Sequence, residues 1–542
     1  MSPPDSIEPP PPAPSELETR ASWRQLGLII GTLLLAGAIT YLVPGLESFR
    51  PWTSGETLPL ARLFTAWSSP EEAAALPEFA GAGARYQSGN ADTARVAAEL
   101  GSSVADNMGQ QEGGDPSSVI ETSEDGLHRR VVIDPTLYDG ISIHIEDPEH
   151  RGLRHLWQSL RKTALGVDSH ITRIGHYGDS SIATDLITHT VRRALQGRFG
   201  DAGHGFILPA RGYMPYGHRD IVHRASSTWQ VREAIRGADA DGYYGYGGVQ
   251  VRGVPGAWAI YATDPDAPVG QRVSRFQVFH QRYVRGGKLR ISIDGDEERI
   301  IETRAEVTSD EVLTYDVPDG HHQFKVRSGG GGQPRLYGVV LEREGPGVVY
   351  DSMGMVGARA QRMLNIEASH LGRQLGFRGL DLLILGFGGN EADDRVAPRP
   401  YQETFQRVIR HFRQSRPEMS CLVFAPLDQG MRARGGIRTM PSVPIIVEAQ
   451  RAAALAEGCA FYNNFQAMGG LGAMGRWNRS RPRLGLGDLR HATPAGYEIL
   501  GNLFFKALMA EFARYLEPEA TSEAAPDAES PPPAAAADEG SP

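Results

Sequence analysis

Ser180 is the first candidate for a catalytic residue. It follows a run of apolar and β-tolerant residues, a glycine and an acid, and it precedes a helix-like stretch. This strand–turn–helix pattern places the serine at the carboxyl end of a strand, where α/β folds carry their sites. A serine nucleophile needs a general base, and the base needs an acid to orient it. Asp488 and His491 lie three residues apart before the last predicted helix, so the carboxylate can hold one ring nitrogen while the other faces the serine.

Two glycine-rich stretches at the ends of later predicted strands can complete this site. The first runs Asp351-Ser-Met-Gly-Met-Val-Gly-Ala358, and the second runs Gly386-Phe-Gly-Gly-Asn-Glu391. Each motif alone is common, because Gly-Asp-Ser tripeptides cap many helices, and Ser180 by itself is better explained as a helix cap. Four motifs in this order, each at a strand end, favour a catalytic role over a purely structural one.

Alternating strands and helices define the fold class around these residues. Strands are predicted at 128–133, 140–145, 172–178, 348–350, 382–387, 422–425 and 460–463. Helices are predicted at 153–164, 187–196, 358–375, 401–412, 443–456 and 494–515. This alternation is typical of an α/β protein with a doubly wound parallel sheet, and the continuous apolar strands fit burial on both faces.

Residues 220–345 have a different pattern, in which short alternating runs are separated by turn signals such as Pro318-Asp-Gly320. Regular strands without helices predict an inserted all-β domain, built as an antiparallel sandwich or barrel. Four aromatic residues of this domain are candidates to stack on sugar rings: Tyr243, Tyr244, Tyr246 and Trp258. The alternative is that they are core residues or cross-strand partners, which is the more common role of aromatics in β domains.

The N-terminal part carries an almost unbroken apolar run, Leu26–Val43, at the lower end of the length that spans a membrane. Arg20 and Arg24 precede it, which favours a cytoplasmic N-terminus and places the rest of the chain outside the membrane. The alternative is a cleaved signal peptide, because Ala36-Gly-Ala38 resembles a cleavage site. The protein would then be secreted.

These patterns divide the chain into seven predicted segments. They are a disordered cytoplasmic leader (1–24), a transmembrane anchor (25–45), a flexible spacer (46–125), the first part of the catalytic domain (126–219), the inserted all-β domain (220–345), the second part of the catalytic domain (346–516) and a disordered tail (517–542). The leader and tail are rich in proline and polar residues, which disfavours a packed core.

Composition excludes several other classes of function. The chain has 542 residues and a net charge of −10, whereas a nucleic-acid-binding surface would be basic. The two cysteines, Cys421 and Cys459, cannot form a disulfide framework or a zinc cluster, and we expect two small buried hydrophobic residues. No zinc, phosphate-loop or dinucleotide motif is present, so neither a metal nor a cofactor is predicted.

The four motifs together resemble the SGNH (GDSL-type) hydrolases, whose Gly-Asp-Ser, Gly, Asn and Asp-x-x-His blocks occur in this order on a flavodoxin-like sheet. The resemblance covers residues 165–215 and 346–515. It is greatest to bacterial exported O-acetylesterases, including peptidoglycan O-acetylesterases. These enzymes carry an all-β, jelly-roll-like, carbohydrate-binding-like domain between the first two blocks. Their Asn block reads Asn-Glu, as Asn390-Glu391 does here.

The resemblance implies a role for each matching residue. Ser180 is the nucleophile, His491 the general base and then general acid, and Asp488 the residue that orients His491. The oxyanion hole consists of the Ser180 amide, the Gly357 amide and the Asn390 side chain. Two positions depart from the common pattern, because Glu391 replaces the second acid of a Gly-x-Asn-Asp block and Asp351 stands where many members have asparagine.

The resulting expectation is a membrane-anchored, periplasmic serine esterase that removes O-acetyl or other short acyl groups from a cell-envelope polysaccharide such as peptidoglycan. The acetyl preference rests on the resemblance alone. Two alternatives stay open. The same triad could transfer the acyl group to a sugar hydroxyl, or the protein could be a non-enzymatic cell-wall glycan-binding protein. No nucleic-acid partner is expected.

Overall fold

The computed structural model describes residues 120–122, 129–210, 216–237 and 239–523, with side chains up to residue 517. The predicted leader and anchor lie outside these residues, and so does all of the predicted spacer except 120–122. Among the described helices, none is both long and apolar enough to cross a membrane. The predicted anchor at 25–45 is therefore untested.

The strands and helices are numbered here in chain order. The strands are β1 Ile120–Thr122, β2 Arg129–Val131, β3 Ile171–Gly178, β4 Gly205–Ile207, β5 Ile221–Ala225, β6 Gln230–Glu233, β7 Val249–Arg252, β8 Trp258–Thr263, β9 Val273–Arg282, β10 Lys288–Ile293, β11 Arg299–Glu302, β12 Ser309–Gly320, β13 Gln323–Gly330, β14 Arg335–Glu342, β15 Gly347–Gly354, β16 Leu382–Gly386, β17 Ser420–Phe424, β18 Gly430–Ala433, β19 Gly436–Thr439 and β20 Ala460–Tyr462. The α-helices are α1 Arg154–Ala164, α2 Ser180–Ala183, α3 Leu186–Phe199, α4 Ala368–Arg378, α5 Pro398–Arg413, α6 Ser442–Ala456, α7 Asn464–Ala467, α8 Ala473–Arg479 and α9 Pro494–Glu523.

A five-stranded parallel sheet forms the centre of the α/β part. Its strands lie in the order β15–β3–β16–β17–β20, which is the 2-1-3-4-5 order of flavodoxin-like folds when counted along the chain. In β16, Leu382 and Ile384 join the apolar cluster formed with α1, α3 and α9, whereas Leu383 and Leu385 join the cluster formed with α4, α5 and α6. The sheet is thus buried on both faces, and the predicted α/β class is confirmed.

An all-β region is inserted between α3 and β15. It consists of two antiparallel sheets with strand orders β11–β10–β13–β8–β5 and β12–β9–β14–β7–β6, and β4 adds to β14. Apolar residues from both sheets form a separate core between them. The inserted region is therefore a sandwich. Its pairing begins with β4, upstream of the predicted boundary at 220.

Several local predictions were wrong. Residues 140–145 are irregular instead of forming a strand, and only Glu146 bridges to β20. The helix predicted at 358–375 is a 3₁₀ segment, Ala360–Asn365, followed by α4, because the Glu367 side chain caps α4 by accepting hydrogen bonds from Ser369 and His370 N–H. The final helix α9 continues to Glu523, beyond the predicted end.

The two cysteines are joined to each other. Cys421 in β17 and Cys459 beside β20 are buried, as predicted, but they form a disulfide. The prediction of two unlinked hydrophobic residues was wrong, because β17 and β20 are neighbours in the sheet and bring the two Cα atoms within 4.7 Å.

A buried charged cluster joins the sandwich to the parallel sheet. Arg378 donates to both carboxylate oxygens of Asp351 (2.6 and 3.0 Å) and to Glu342, and Arg173 donates to Glu342 from the other side at 2.9 Å. Although burial disfavours the charged form of Glu342, the two guanidinium groups hold its pKa at about 2. Asp351 also accepts a hydrogen bond from the Tyr246 hydroxyl at 2.8 Å. This explains the departure from asparagine, since the Asp351 charge balances a buried arginine.

Candidate active site

Ser180 is held at the carboxyl end of β3 by a sharp turn. β3 ends at Gly178, and Ser180 is the first residue of α2. Asp179 is the helix cap, because its carboxylate accepts the Ser181 N–H (3.0 Å) and, through its other oxygen, the Gly389 N–H (3.0 Å). The capping role that the sequence left open for Ser180 thus belongs to its neighbour, and the Ser180 hydroxyl is available for another partner.

Two glycines permit this turn because no side chain fits. A Cβ on Gly178 would lie 2.6 Å from the Gly386 carbonyl oxygen, and one on Gly354 would lie 2.1 Å from the Ala183 nitrogen. Both neighbours are backbone atoms that cannot move aside without shifting a strand or α2. The Gly-Asp-Ser and Gly blocks are therefore spaced by direct packing of α2 against the end of β15.

The structure brings the three predicted triad residues into hydrogen-bond contact. His491 Nε2 lies 2.8 Å from Ser180 Oγ, and His491 Nδ1 lies 2.7 Å from Asp488 Oδ2. With the Nδ1 proton directed at the carboxylate, Nε2 is the acceptor for the serine proton. This is the geometry that general-base activation of a serine requires.

The loop that carries Asp488 and His491 is fixed by its own backbone. The second Asp488 oxygen accepts the N–H groups of Arg490 (2.9 Å) and His491 (3.1 Å). Leu489, which lies between Asp488 and Arg490, is buried and has a φ of +62°. Although partial burial opposes ionisation, the hydrogen bonds from His491 and these amides lower the pKa of Asp488. The carboxylate is thus kept ionised to orient the imidazole.

Arg490 connects this loop to the segment that follows Asn390. Its guanidinium donates to both oxygens of Asp393 (2.8 and 2.6 Å) and lies 3.3 Å from Gln429 Oε1. Sequence reasoning missed this pair, because its members are 97 residues apart and no local motif joins them. This ion pair positions the loop that carries Asp488 and His491, called the catalytic loop below, relative to the segment around Asn390.

A small cavity lies beside Ser180 and His491. Phe424, the last residue of β17, and residues 425–427 after it form its apolar wall, and Gln429 and Asn464 add polar groups. Asn464 is buried, and neither atom of its amide has a partner among the described residues. No sequence signal points to Gln429 or Asn464, since each follows a different strand and is brought to the site only by the sheet order.

The predicted oxyanion residues lie in two loops that are tied together. Asn390 Nδ2 donates to the Ala358 carbonyl at 2.9 Å, which leaves its second amide hydrogen available. Gly357, next to Ala358, has a φ of +81° and open space at its Cβ position. The loops meet at the end of the sheet that carries Ser180, and the oxyanion roles of Gly357 and Asn390 stay predictions.

Replacing Asn390 with alanine should lower kcat by about 10²–10³-fold with a smaller change in KM, because a preorganised donor acts mainly on the transition state. Steady-state kinetics with p-nitrophenyl acetate measure this. Asn365→Ala is a suitable control, because Asn365 Nδ2 also donates to a backbone carbonyl, that of Ala234, at 2.7 Å. An Asn390→Ala enzyme with wild-type kcat would remove this residue from the oxyanion hole.

The Glu391 side chain binds the segment that follows Gly357 and Ala358. One carboxylate oxygen accepts the Ala360 N–H at 2.8 Å, and the other is buried without a partner among the described residues. Burial raises the pKa of Glu391 to about 7, with a further contribution from the nearby Asp179 charge. The Glu391 carboxyl group, next to Asn390, is therefore protonated below about pH 7.

Because the folded-state pKa of Glu391 exceeds its unfolded value of 4.5, this group destabilises the fold as pH rises from about 4.5 to 7. Glu391→Gln should therefore gain stability relative to wild type between pH 5 and pH 8, by on the order of 3 kcal/mol. Chemical denaturation at both pH values measures the free energy of unfolding. Parallel pH profiles for wild type and variant would contradict this prediction.

The predicted sugar-binding aromatics are not a single exposed group. Tyr244 and Tyr246 are fully buried, so that prediction was wrong for both. The Tyr246 ring packs against Tyr177 and its hydroxyl is used by the buried charged cluster. Tyr243 is half-buried and stacks on His370 with ring centroids 4.7 Å apart, and Trp258 is partly exposed on β8. Sugar contact by these two stays a prediction.

One family model and several solved structures match this chain. The model of the GDSL-like lipase/acylhydrolase family matches residues 313–499, which contain Asn390, Asp488 and His491 and begin after Ser180. A solved peptidoglycan O-acetylesterase is 20% identical, with a TM-score of 0.56 over 68% of this chain and 99% of its own. A family two carbohydrate esterase from Cellvibrio japonicus is 13% identical, with a TM-score of 0.19 over 56% of this chain and 97% of its own. No curated protein matches the sequence.

The family match covers the second part of the α/β fold, and the sheet places the Ser180 block of the first part against it. The motifs occur in the order that the resemblance implied, and the first three follow the strands β3, β15 and β16. The prediction of a strand end was wrong for the fourth, because Asp488 and His491 lie in the loop before α9. The α/β part of this chain is therefore similar to SGNH/GDSL hydrolases in fold and in its matched segment, and these findings support a carboxylic ester hydrolase.

Proposed function

We propose that this protein is a serine esterase that removes O-acetyl or other short acyl groups from a cell-envelope polysaccharide such as peptidoglycan. The observation that carries the proposal is the continuous hydrogen-bonded chain from Ser180 through His491 to Asp488. An exposed triad at the end of a parallel sheet suits a substrate that approaches from outside the fold.

The reaction follows from this geometry. Ser180 Oγ attacks the ester carbonyl while His491 Nε2 takes its proton, and the donors around Asn390 stabilise the resulting oxyanion. The tetrahedral intermediate collapses, His491 returns the proton to the leaving sugar oxygen, and an acyl-serine remains. Water then attacks the acyl-serine with His491 again as base, which releases the carboxylic acid and restores Ser180.

The choice of substrate is supported by the overall architecture. Nearly the whole length of the peptidoglycan O-acetylesterase aligns with this chain, at an identity of 20%.

We further propose an extracytoplasmic location with the N-terminal apolar run as the anchor. That run, Leu26–Val43, has the composition of a membrane segment. The Cys421–Cys459 disulfide supports the same location, because disulfides persist in oxidising compartments and are rare in the cytosol.

The test is acetate release from O-acetylated peptidoglycan by the full-length protein, with Ser180→Ala as the matched inactive control. Release without an added acceptor, abolished in the variant, supports hydrolysis. Acetate transfer only when a sugar acceptor is supplied would favour the acyltransferase alternative. Binding to cell walls without turnover of any ester would favour the glycan-binding alternative.

A further inference from the structure

We propose that Gln429 is a positioning residue that holds the oxyanion donor Asn390 in place relative to Ser180. The inference rests on the proposed function and concerns the same site, because an oxyanion forms only if the protein cleaves an ester. Gln429 is only 5% exposed and lies after β17, whereas Ser180 follows β3 and Asn390 follows β16. Its role follows from the hydrogen bonds of its side-chain amide.

The amide nitrogen of Gln429 binds the segment that precedes Asn390. Gln429 Nε2 donates to the Gly389 carbonyl at 2.7 Å. This carbonyl belongs to the planar peptide unit that joins Gly389 to Asn390, so the hydrogen bond limits rotation of the whole unit. Gln429 therefore restrains the backbone from which the Asn390 side chain projects.

The backbone N–H of the same glycine is tied to the turn that carries Ser180. The Gly389 N–H donates to Asp179 Oδ2 at 3.0 Å, and Asp179 directly precedes Ser180. A Cβ on Gly389 would lie 2.7 Å from Asp179 Oδ2 and 3.1 Å from Gln429 Nε2, so both side chains close on this residue. This hydrogen-bonded chain of three residues restrains the separation between Ser180 and Asn390.

Gln429 is itself held by the backbone of the hairpin that β18 and β19 form. Its carbonyl accepts the Met440 N–H at 2.8 Å, which closes the base of the hairpin. The next residue, Gly430, donates its N–H to the Leu489 carbonyl of the catalytic loop at 2.7 Å. The side chain that restrains Gly389 is therefore buried and projects from a backbone that is fixed on both sides.

The acceptor atom of Gln429 contributes less to the site. Arg490 lies 3.3 Å from Gln429 Oε1, but its guanidinium also donates to both oxygens of Asp393 at 2.8 and 2.6 Å. The catalytic loop therefore keeps its main contacts when the Gln429 side chain is replaced. The loss should displace Asn390 and leave the contacts within the triad intact.

Displacement of an oxyanion donor has a specific kinetic effect. Such a donor acts mainly on the transition state, so its loss lowers kcat more than it changes KM. Gln429→Met keeps the length of the side chain and removes both hydrogen bonds of the amide. We expect it to lower kcat for p-nitrophenyl acetate by about 10–10²-fold, the loss that a misplacement of up to about 1 Å causes.

The test uses the full-length protein and a second substitution that separates the two halves of the amide. At pH 8, Gln429→Glu keeps an acceptor for Arg490, whose positive charge favours the ionised carboxylate, but it has no donor for the Gly389 carbonyl. If the donor is what positions Asn390, both substitutions should lower kcat to a similar extent. Each is also combined with Asn390→Ala in a double-mutant cycle.

Gln196→Met is the matched control. Gln196 is also buried, and its Nε2 donates to the Gly203 and Val348 carbonyls at 2.8 and 3.0 Å. Val348 lies near the start of β15, at the opposite end of the parallel sheet from Ser180. This variant should keep wild-type kcat, and thermal denaturation of every variant measures any loss of folded enzyme.

In the Asn390→Ala background, Gln429→Met should lower kcat by less than about threefold, because the donor that Gln429 positions is already absent. The acid limb of the pH profile of kcat/KM should stay unchanged, since it reports His491. A full additive loss in the cycle, or wild-type kcat in either Gln429 variant, would overturn the inference. A shifted acid limb would overturn it in favour of a role at His491. If wild type showed no Ser180-dependent ester hydrolysis, the proposed function itself would fail, whereas each of the other outcomes leaves that function standing.

Discussion

Replacement of Ser180 with alanine is expected to lower kcat for p-nitrophenyl acetate by about 10⁶-fold, and His491→Ala should cause a loss of the same order. Both side chains act in one proton-transfer unit, with Ser180 Oγ and His491 Nε2 only 2.8 Å apart. Removing either one therefore disables the other, and the double variant should be no slower than the single variants.

Substitution of Asp488, the third residue of this unit, should lower kcat by a smaller factor. Asp488→Asn preserves the shape of the side chain but can direct an N–H instead of an acceptor at His491 Nδ1, so we expect kcat to fall about 10⁴-fold. Its backbone contacts to Arg490 and His491 can persist through the amide oxygen, which keeps the loop in place. Thermal denaturation serves as the folding control. Activity losses below tenfold for all three variants would refute the triad.

The contact between Ser180, His491 and Asp488 could be predicted because its signals are local. The residues before Ser180 are apolar or well tolerated in strands, the turn requires glycine, and Asp488 and His491 are three residues apart in one loop. A parallel sheet brings the carboxyl ends of its strands to one edge, so motifs at successive strand ends must meet there. The alternation of strands and helices predicted a parallel, doubly wound sheet, and the flavodoxin-like arrangement was implied by the resemblance to SGNH hydrolases.

The features that the sequence did not reveal depend on partners far along the chain. Cys421 and Cys459 are separated by 38 residues, and only the adjacency of β17 and β20 shows that they can bond. The Tyr246 hydroxyl, similarly, is directed inward by the Asp351–Arg378 pair. An aromatic-rich stretch in a β domain has the same composition whether its rings face sugar or core.

The buried charged cluster gives the second large expected effect. Asp351→Asn, which introduces the residue that many SGNH hydrolases have, should lower the free energy of unfolding by about 3–5 kcal/mol. Arg173 and Arg378 would then share a single carboxylate, that of Glu342, so one guanidinium charge of the cluster would be uncompensated. Chemical denaturation measures this loss. The folded enzyme should keep its kcat, since the hydrogen bonds of Asp351 are to Arg378, Tyr246 and Phe206 and not to the triad.

Two comparisons separate charge imbalance from a general sensitivity to substitution. Asp319→Asn disrupts an exposed pair with Arg343, in which both side chains are about one-third exposed, and should cost less than about 1 kcal/mol. In the double variant Asp351→Asn/Arg378→Met, charge balance is restored because Glu342 keeps Arg173 as its partner at 2.9 Å. The two substitutions should therefore destabilise the fold by less than the sum of their separate effects. Strict additivity would mean that Asp351 and Arg378 stabilise the junction between sandwich and sheet independently. Charge balance would then not explain why this chain has aspartate at position 351, where many SGNH hydrolases have asparagine.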